Sequence, residues 1–240
     1  LFLFDVDGTI AESSKKIEDN ILKFLIDNKK ENYQYGVISG GKYTKLKNQI
    51  GEKNIINDDP LFDYIFCENG MIGYHNNKLI FEKKLTELYN SSKIDEIILF
   101  IRSKLSNLIS DNDYPKFEIR NSLIYFSTIG INSDDDTRNI FIEKDNKLKI
   151  RENIIDMLKN DLLEKFNMKI CLGGNIGLSI NPINWDKSYI IRNRIIDFSK
   201  YNKVFFFGDR CHSNGNDYEI YSHPLTTGFH VNSPEETFSI

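Results

Sequence analysis

The chain has 240 residues, of which 40% are hydrophobic and 28% charged, and its formal net charge is −4. This composition is typical of a globular protein of one or two domains, and it excludes a disordered or collagen-like chain. No nucleic acid is expected as a main partner, because the net charge is acidic. No membrane span is expected either, because no apolar run approaches about 18 residues.

The cysteines and the start of the chain bear on its compartment. Cys67, Cys171 and Cys211 are widely spaced and odd in number, which suits reduced thiols rather than a disulfide framework. We therefore expect a cytoplasmic protein. The first residue is not Met, and no basic segment precedes the first apolar run, so we expect that the start of the chain has been trimmed.

The first part of the chain alternates short apolar runs with helical patterns. Apolar runs at 1–4, 35–38 and 63–67 predict strands buried on both faces of a parallel sheet. Helices are predicted after the first two runs, and Gly51 is expected to end the second helix. A hairpin is predicted at 71–81 around an Asn-rich turn. This order is typical of a doubly wound α/β protein.

The middle of the chain has a different rhythm, in which strand pairs alternate with long helices. This rhythm predicts an α+β module, at about 82–185, inserted into the first domain. Its predicted helices and strands lie at 94–108, 117–120, 123–127, 154–166, 168–172 and 176–180.

The parallel pattern then returns, with a helix predicted at 186–199 and strands at 203–207 and 227–231. We therefore expect residues 1–81 and 186–240 to form one α/β core with a doubly wound parallel sheet.

Polar residues follow several predicted strands of this core. Ligands bind outside the carboxyl ends of the strands in open α/β sheets, so these residues are expected to lie along one functional edge. Each of them alone is more simply explained as the cap of the next helix, whereas the whole set favours a site. The residues are Asp5 with Asp7, Ser39, Glu68 with Asn69, and Asp209.

The segment Asp5-Val6-Asp7-Gly8-Thr9 places two carboxylates at one strand end, with Gly8 allowing the chain to turn. One carboxylate can attack phosphorus to form an aspartyl-phosphate, and the other can protonate the departing oxygen. Phosphoryl transfer also needs a divalent cation, and Mg²⁺ prefers hard oxygen ligands. Asp209 is the natural third acid.

These motifs resemble those of the haloacid-dehalogenase superfamily and, within it, the eukaryotic phosphomannomutases. The similar blocks occur in the family's order and cover nearly the whole chain. They are 3–9, 63–70, Ile129-Gly130, Trp185-Asp186-Lys187, Phe206-Phe207-Gly208-Asp209, 215–220 and 233–237, with Ser39-Gly40 as the second superfamily motif.

The resemblance implies roles in catalysis. Asp5 would be the nucleophile and Asp7 the general acid/base, while Lys187 would offset phosphate charge. Mg²⁺ would be held by Asp5, the carbonyl of Asp7, and Asp209, with Asp217 as a further acid. The alternatives are that Lys187 is a solvated lysine in the first turn of a helix and that Asp217 is an ordinary surface aspartate.

The resemblance also implies a second cation site in the loop that contains Tyr221 and Thr226. His223 stands where the family has an aspartate, and a neutral imidazole is a poor ligand for a hard cation.

The resemblance further implies substrate contacts. Ser39 and Gly40 would bind the reacting phosphate, while Arg120 and Arg138 in the inserted module would bind the distal one, since a guanidinium offers bidentate hydrogen bonds. Each arginine has the alternative of being a solvated charge.

Other substrate positions differ from the family. Ser14 and Ile131 replace arginines, with Lys15 beside Ser14, and Gly177 and Ser179 replace a serine and an aspartate.

The first hypothesis is therefore a phosphomannomutase that interconverts mannose 6-phosphate and mannose 1-phosphate through an aspartyl-phosphate and a sugar bisphosphate. The resemblance implies that it feeds GDP-mannose synthesis, uses Mg²⁺ and a sugar bisphosphate activator, and forms a homodimer through the inserted module, a cap that sets specificity. The second hypothesis is a Mg²⁺-dependent phosphatase acting on phosphosugars or other small phosphoesters. The third is a catalytically silent phosphosugar-binding protein.

Overall fold

The computed structural model describes residues 1–56, 60–110 and 112–240. The chain divides into two compact units. The first unit consists of Leu1–Glu82 and Trp185–Ile240, and the second consists of Lys83–Asn184, which lies between them in the sequence.

The strands of the described residues are short, with three to six residues each. In chain order they are β1 (Phe2–Phe4), β2 (Tyr35–Ile38), β3 (Tyr64–Cys67), β4 (Ile72–His75), β5 (Lys78–Glu82), β6 (Phe117–Ile119), β7 (Ile124–Phe126), β8 (Met168–Gly173), β9 (Gly177–Pro182), β10 (Phe205–Gly208) and β11 (Thr227–His230).

The α-helices of the same residues vary from one turn to nearly five turns. In chain order they are α1 (Asp19–Asn28), α2 (Tyr43–Ile50), α3 (Ser91–Lys104), α4 (Asp135–Leu148), α5 (Ile150–Phe166), α6 (Tyr189–Arg192), α7 (Tyr218–Tyr221) and α8 (Pro234–Thr237). None of the helices described is both long and apolar enough to cross a membrane.

The first unit contains one sheet with the strand order β11-β10-β1-β2-β3-β4-β5. The strands from β11 to β3 are parallel, and β4 and β5 add an antiparallel hairpin at the edge. The predicted α/β class with a parallel sheet is therefore confirmed.

The continuous apolar run of β1 is explained by burial on both faces of this sheet. Successive side chains of a strand point to opposite faces. Phe4 belongs to one hydrophobic cluster, with α1 and α2, whereas Leu3 belongs to the other, with Ile190 and Phe206. Each side chain of the strand thus meets apolar neighbours, and the strand's end is fixed relative to both layers.

The second unit contains an antiparallel sheet with the strand order β6-β7-β9-β8. One face of this sheet packs against α3 and α5 through residues such as Ile97, Phe126 and Leu158. The other face carries Tyr125 and Ser179, which are paired across β7 and β9. The predicted antiparallel strand pairs of the inserted segment are therefore present.

Two helix predictions differ from the structure. The helix predicted at 186–199 is too long, because α6 ends at Arg192 and Arg194 adopts a left-handed backbone with φ 52°. Conversely, α4 was not predicted, because most of its surface is solvated and only Phe141 and Asp145 are buried. A capping signal was present, since the Asp134 side chain accepts a hydrogen bond from the backbone N–H of Thr137.

Candidate active site

The carboxyl ends of the parallel strands meet at one edge of the first unit's sheet. Asp5 follows β1, and its backbone N–H donates to the carbonyl of Phe207 at 2.9 Å. This bond holds Asp5 beside the end of β10, and Asp209 is the residue that follows β10. The structure thus brings together the acids that the sequence placed at two separate strand ends.

Lys187 lies at the centre of this edge. Its ammonium donates to Oδ1 of Asp5 at 2.5 Å and to Oδ1 of Asp217 at 2.6 Å, and its side chain has no exposed surface. Burial alone lowers the pKa of Lys187, but the charges of Asp217 and Asp5 more than offset this and raise it above its ordinary value. Lys187 is therefore a buried cation and not a solvated lysine.

Three carboxylates converge beside this lysine. One oxygen from each of Asp5, Asp209 and Asp217 lies within 4.8 Å of the others. Asp217 has no exposed surface, and its Oδ2 accepts a hydrogen bond of 3.0 Å from the backbone N–H of Arg210. Asp217 is therefore a buried member of the site and not an ordinary surface aspartate.

The electrostatics of the cluster favour a divalent cation. Burial raises the pKa of Asp5 to about 8, with Asp217 and Asp209 adding to the rise and Lys187 opposing it. Burial likewise raises the pKa of Asp209 to about 6, against the attraction of Arg210. The donors are all hard oxygens, and burial makes their charged forms costly unless a cation lies beside them. This donor set fits Mg²⁺.

Asp7 has different surroundings, in which its carboxylate is held by hydrogen bonds. Oδ1 accepts from the backbone N–H of Ser14 at 2.7 Å and from Nε2 of Gln49 at 2.9 Å, while Oδ2 pairs with the ammonium of Lys45. Burial alone raises the pKa of Asp7, but Lys45, Ser14 and Gln49 together lower it below its ordinary value. Asp7 is thus held in its charged form.

Gly8 is required for the close packing of the first motif. Its backbone has φ 87°, a left-handed conformation that favours glycine. A Cβ atom at this position would lie 2.7 Å from Oδ2 of Asp209. The turn after Asp7 therefore allows the carboxylate of Asp209 to approach the backbone of the first motif.

Ser39 and Gly40 follow β2 at the same edge. Ser39 is 2% exposed, and its hydroxyl accepts a hydrogen bond of 3.0 Å from the backbone N–H of Gly41. Gly40 lies against a pair of amide side chains, in which Nδ2 of Asn216 donates to Oδ1 of Asn69 at 3.1 Å. The ends of β2, β3 and β10 are thus connected through small and polar side chains.

The loop proposed for a second cation is held together by its own hydrogen bonds. The hydroxyl oxygen of Thr226 lies 2.6 Å from the carbonyl oxygen of Ile220 and 2.9 Å from that of His223, and it donates its hydrogen between them. Burial lowers the pKa of His223. The cation site at Tyr221 and Thr226 stays a prediction.

The second unit holds the two arginines that were predicted to bind phosphate. Arg120 donates from Nε to Oε2 of Glu118 at 2.6 Å, and its guanidinium lies 4.4 Å from the ring centre of Tyr125. Arg138 donates to the backbone carbonyls of Ile131 at 2.6 Å and Ser133 at 2.8 Å. Both guanidinium groups are therefore held by protein groups, and their binding of phosphate stays a prediction.

Gly177 and Ser179 lie on the same face of β9 as the ring of Tyr125. A Cβ atom at Gly177 would lie 2.3 Å from both Cζ and the hydroxyl oxygen of Tyr125. The Tyr125 hydroxyl donates to the carbonyl of Gly173 at 3.1 Å, which holds the ring in this position. The missing side chain at Gly177 therefore makes room for a tyrosine.

The chain matches the sequence pattern of a known protein family. Residues 21–240 match the model of a family described as eukaryotic phosphomannomutase. The chain belongs to this family. The resemblance of the motifs is thereby confirmed.

Several relatives match over almost all of the chain. It is 34% identical to a phosphomannomutase of Spinacia oleracea over 236 residues, which are 98% of this chain and 91% of that protein. It is 32% identical to phosphomannomutase 1 of Homo sapiens over 238 residues, which are 99% of this chain and 88% of that protein.

Solved structures share the fold at low sequence identity. An IMP-nucleotidase of Plasmodium falciparum has a TM-score of 0.65 and 15% identity, covering 99% of this chain and 66% of that one. The C-terminal domain of a trehalose-6-phosphate phosphatase from C. albicans has a TM-score of 0.61 and 14% identity, covering 99% of this chain and 89% of that one.

Reasoning from the sequence missed two cations and one amide side chain that contact the carboxylates. Lys45 and Gln49 bind Asp7, and Nε of Arg210 lies 3.6 Å from Oδ2 of Asp209. The position of Arg210 directly after Asp209 was a signal that could have been used. Lys45 and Gln49 are one turn apart on α2, which predicts a shared helix face but not that this face meets Asp7.

Proposed function

We propose that the protein is a phosphomannomutase, which interconverts mannose 6-phosphate and mannose 1-phosphate. The names of the relatives in this family support the reaction. The observation that carries the proposal is the buried Lys187, which binds Asp5 and Asp217 beside Asp209. A fully buried lysine beside two buried carboxylates and a third that is partly buried is a costly arrangement, and it suits a site that stabilises a phosphoryl group.

In the first half of the reaction, an aspartyl-phosphate at Asp5 gives its phosphoryl group to the free hydroxyl of a sugar monophosphate. The hydroxyl oxygen forms a bond to phosphorus, the bond between phosphorus and the Asp5 oxygen breaks, and Asp7 takes the hydroxyl proton. This half needs Asp7 as a base. The depressed pKa of Asp7 keeps its carboxylate unprotonated, so a base is present when the hydroxyl binds.

In the second half, the sugar bisphosphate turns over and presents its other phosphate to Asp5. The carboxylate attacks phosphorus, the ester bond breaks, and Asp7 returns its proton to the departing sugar oxygen. Lys187 favours the charged form of Asp5 and offsets negative charge on the transferring group. The two halves together move a phosphate between hydroxyls and restore the enzyme.

Asp5 and Asp209, with the backbone carbonyl of Asp7, would hold Mg²⁺, and Asp217 would support them. When bound, Mg²⁺ offsets charge on the phosphoryl oxygens. Ser39 and Gly40 would contact the reacting phosphate.

In the second unit, Arg120 and Arg138 would bind the distal phosphate, and the face with Gly177 and Ser179 would contact the sugar. This unit would act as the cap that sets specificity, and it would contact a second copy of the chain in a homodimer. A sugar bisphosphate would serve as activator.

The placement of the reaction in the cytoplasm, feeding GDP-mannose synthesis, is part of this proposal. Free buried cysteines are consistent with a reducing compartment.

The alternative is a Mg²⁺-dependent phosphatase on the same site, in which water takes the phosphoryl group. Ser14 and Ile131 favour it, because the resemblance to the family implies an arginine at each of these positions. A weaker hold on the distal phosphate would leave the aspartyl-phosphate open to water.

The experiment is turnover of mannose 1-phosphate with Mg²⁺, with and without a sugar bisphosphate, measuring mannose 6-phosphate and free phosphate separately. The mutase predicts that mannose 6-phosphate dominates and that the bisphosphate accelerates its formation. Free phosphate as the main product would support the phosphatase. Turnover of neither kind would contradict both.

A further inference from the structure

Lys45 and Gln49 reach Asp7 from the same face of α2. They lie in the first and second turns of this helix, and their side chains point the same way because they are four residues apart. The ammonium of Lys45 pairs with Oδ2 of Asp7, and Nε2 of Gln49 donates to Oδ1 at 2.9 Å. Each carboxylate oxygen therefore has its own donor from α2.

The two donors differ in how firmly they are held. Gln49 is 4% exposed, and its amide also donates to the carbonyl of Lys15 at 3.1 Å, so its position is fixed. The helix itself is held by Leu46 and Ile50, which have no exposed surface. The side chain of Lys45 is 36% exposed. Lys45 is therefore the donor to Asp7 that faces solvent.

We propose that Lys45 is a positioning residue that fixes the orientation of the Asp7 carboxylate for proton transfer. This inference rests on the proposed function. In the step concerned, Asp5 forms a bond to phosphorus, the bond between phosphorus and the sugar oxygen breaks, and the proton on Asp7 passes to that oxygen. Without Lys45, the carboxylate keeps its bonds to Ser14 and Gln49 on Oδ1 but loses the only contact described for Oδ2 that fixes its rotation.

The test uses two phosphate esters that differ in their need for an acid. Phosphoenzyme formation from mannose 1-phosphate, whose sugar oxygen leaves poorly, depends on proton transfer, whereas 4-nitrophenyl phosphate has a stable leaving group. Single-turnover rates of alcohol release are measured for wild type, Lys45→Met, Lys45→Arg and Lys47→Met. Lys47 is the matched control, because it lies on α2 but pairs with Glu52 at 2.6 Å.

The ion pair with Lys45 opposes protonation of Asp7, so its loss favours the acid form, and slower release would report lost orientation of the carboxyl group. We expect Lys45→Met to slow release from mannose 1-phosphate by roughly 10–100-fold and release from 4-nitrophenyl phosphate by less than about threefold. Lys45→Arg should recover part of the loss, since it keeps a cation within reach of Asp7. Lys47→Met should match wild type. Equal slowing of both esters would overturn the proposal, because it would mean that Lys45 contacts the phosphoryl group common to both.

A double-mutant cycle with Asp7→Asn gives an independent check. If Lys45 acts through Asp7, adding Lys45→Met to Asp7→Asn should cost no more than about twofold further. A further loss as large as in wild type overturns the inference. Unfolding temperatures are measured throughout, and Lys45→Gln enters the same cycle if Lys45→Met does not fold. Failure of the proposed function is distinct: wild type would then release alcohol from neither ester, or Asp5→Asn would release it as fast as wild type.

Discussion

The ammonium nitrogen of Lys187 lies 2.5 Å from Oδ1 of Asp5, and neither side chain is more than 7% exposed. The same nitrogen lies 2.6 Å from Asp217, which is fully buried. Two buried carboxylates thus depend on one cation. Taking one member of such a group away costs more than the group contributes as a whole, because the remaining charges stay buried without a partner.

Lys187→Met should therefore lower the free energy of unfolding by about 3–5 kcal/mol in the metal-free protein. The measurement is urea unfolding in the presence of EDTA. The matched control is Lys23→Met, because Lys23 pairs with Asp27 at 2.8 Å with both side chains more than half exposed. That change should cost at most about 1 kcal/mol. Equal losses for the two variants would contradict the account of Lys187.

Asp5→Asn should abolish phosphoryl transfer, because an amide does not form the acyl-phosphate. Incubation with a phosphate-labelled substrate should leave label on wild type, in a form released by hydroxylamine, and none on the variant. Asp197→Asn is the control, since Asp197 has a side chain 54% exposed, and it should label like wild type. Hydroxylamine-sensitive label on Asp5→Asn would exclude Asp5 as the nucleophile.

The raised pKa of Asp209 predicts a pH dependence of stability. Burial raises this pKa from the ordinary value of 3.8 to about 6, so between these values the folded state binds more protons than the unfolded one. The stability that Asp209 contributes is full below the lower value and is lost as the pH rises through the higher one. In EDTA, wild type should lose roughly 2–3 kcal/mol relative to Asp209→Asn between about pH 4 and pH 7.

The affinity for Mg²⁺ should increase as the pH rises over the same range, since Mg²⁺ displaces the proton from Asp209. Calorimetric titration in buffers of different ionisation enthalpy would detect the proton release at pH 6. A stability difference between wild type and Asp209→Asn that does not change with pH would contradict the raised pKa.

Gly177→Ser should destabilise the second unit, because its Cβ atom would lie 2.3 Å from Tyr125 and 2.8 Å from the carbonyl of Phe126. Such overpacking costs about 1–3 kcal/mol. Tyr125→Ala should relieve part of this cost, so the double variant should lose less stability than the sum of the single ones. Tyr125→Phe keeps the ring and should give little relief. Strict additivity with Tyr125→Ala would contradict the clash.

Ile131→Arg should strengthen the hold on a sugar bisphosphate. The backbone at this position is already fixed by Arg138 and by a hydrogen bond of 2.8 Å from the Ile131 N–H to the carbonyl of Pro115, so the new side chain should not disturb it. One charge-assisted contact is worth about 1.5–3 kcal/mol, or about one to two decades in the dissociation constant.

The ratio of mannose 6-phosphate to free phosphate should rise in Ile131→Arg and stay unchanged in Ile140→Arg, a control at a position 56% exposed. The idea of a weakened hold is wrong if wild type already isomerises almost every phosphoryl group that it accepts.

The edge that carries the acids was predictable because it follows from local rules. A short apolar run buried on both faces must end where a charged residue begins, and Asp5 and Asp209 each follow such a run. Parallel pairing then places both ends at one edge. The family motifs added Lys187 and Asp217, whose burial no local pattern indicates, because a lysine and an aspartate are ordinarily solvated.

The contacts of Lys45 and Gln49 with Asp7 were not predictable. They depend on the rotation of α2 about its axis, which is set by Leu46 and Ile50 packing into the core. The sequence indicates which residues share a helix face, but not which neighbour a polar face will meet. The same limit applies to Tyr125 and Gly177, whose contact depends on the register between β7 and β9.

The division of the first unit into two sequence segments has a consequence for synthesis of the protein. β1 pairs with β10 on one side, and the ion pair between Asp5 and Lys187 joins residues 182 positions apart. Chains fold progressively as they leave the ribosome, and long-range pairing waits for its partner. The whole of the second unit is therefore made before the first unit can close its sheet. Until the segment from Trp185 onward emerges, the nascent chain carries Asp5 without Lys187, which favours its charged form, and without the other acids of the site.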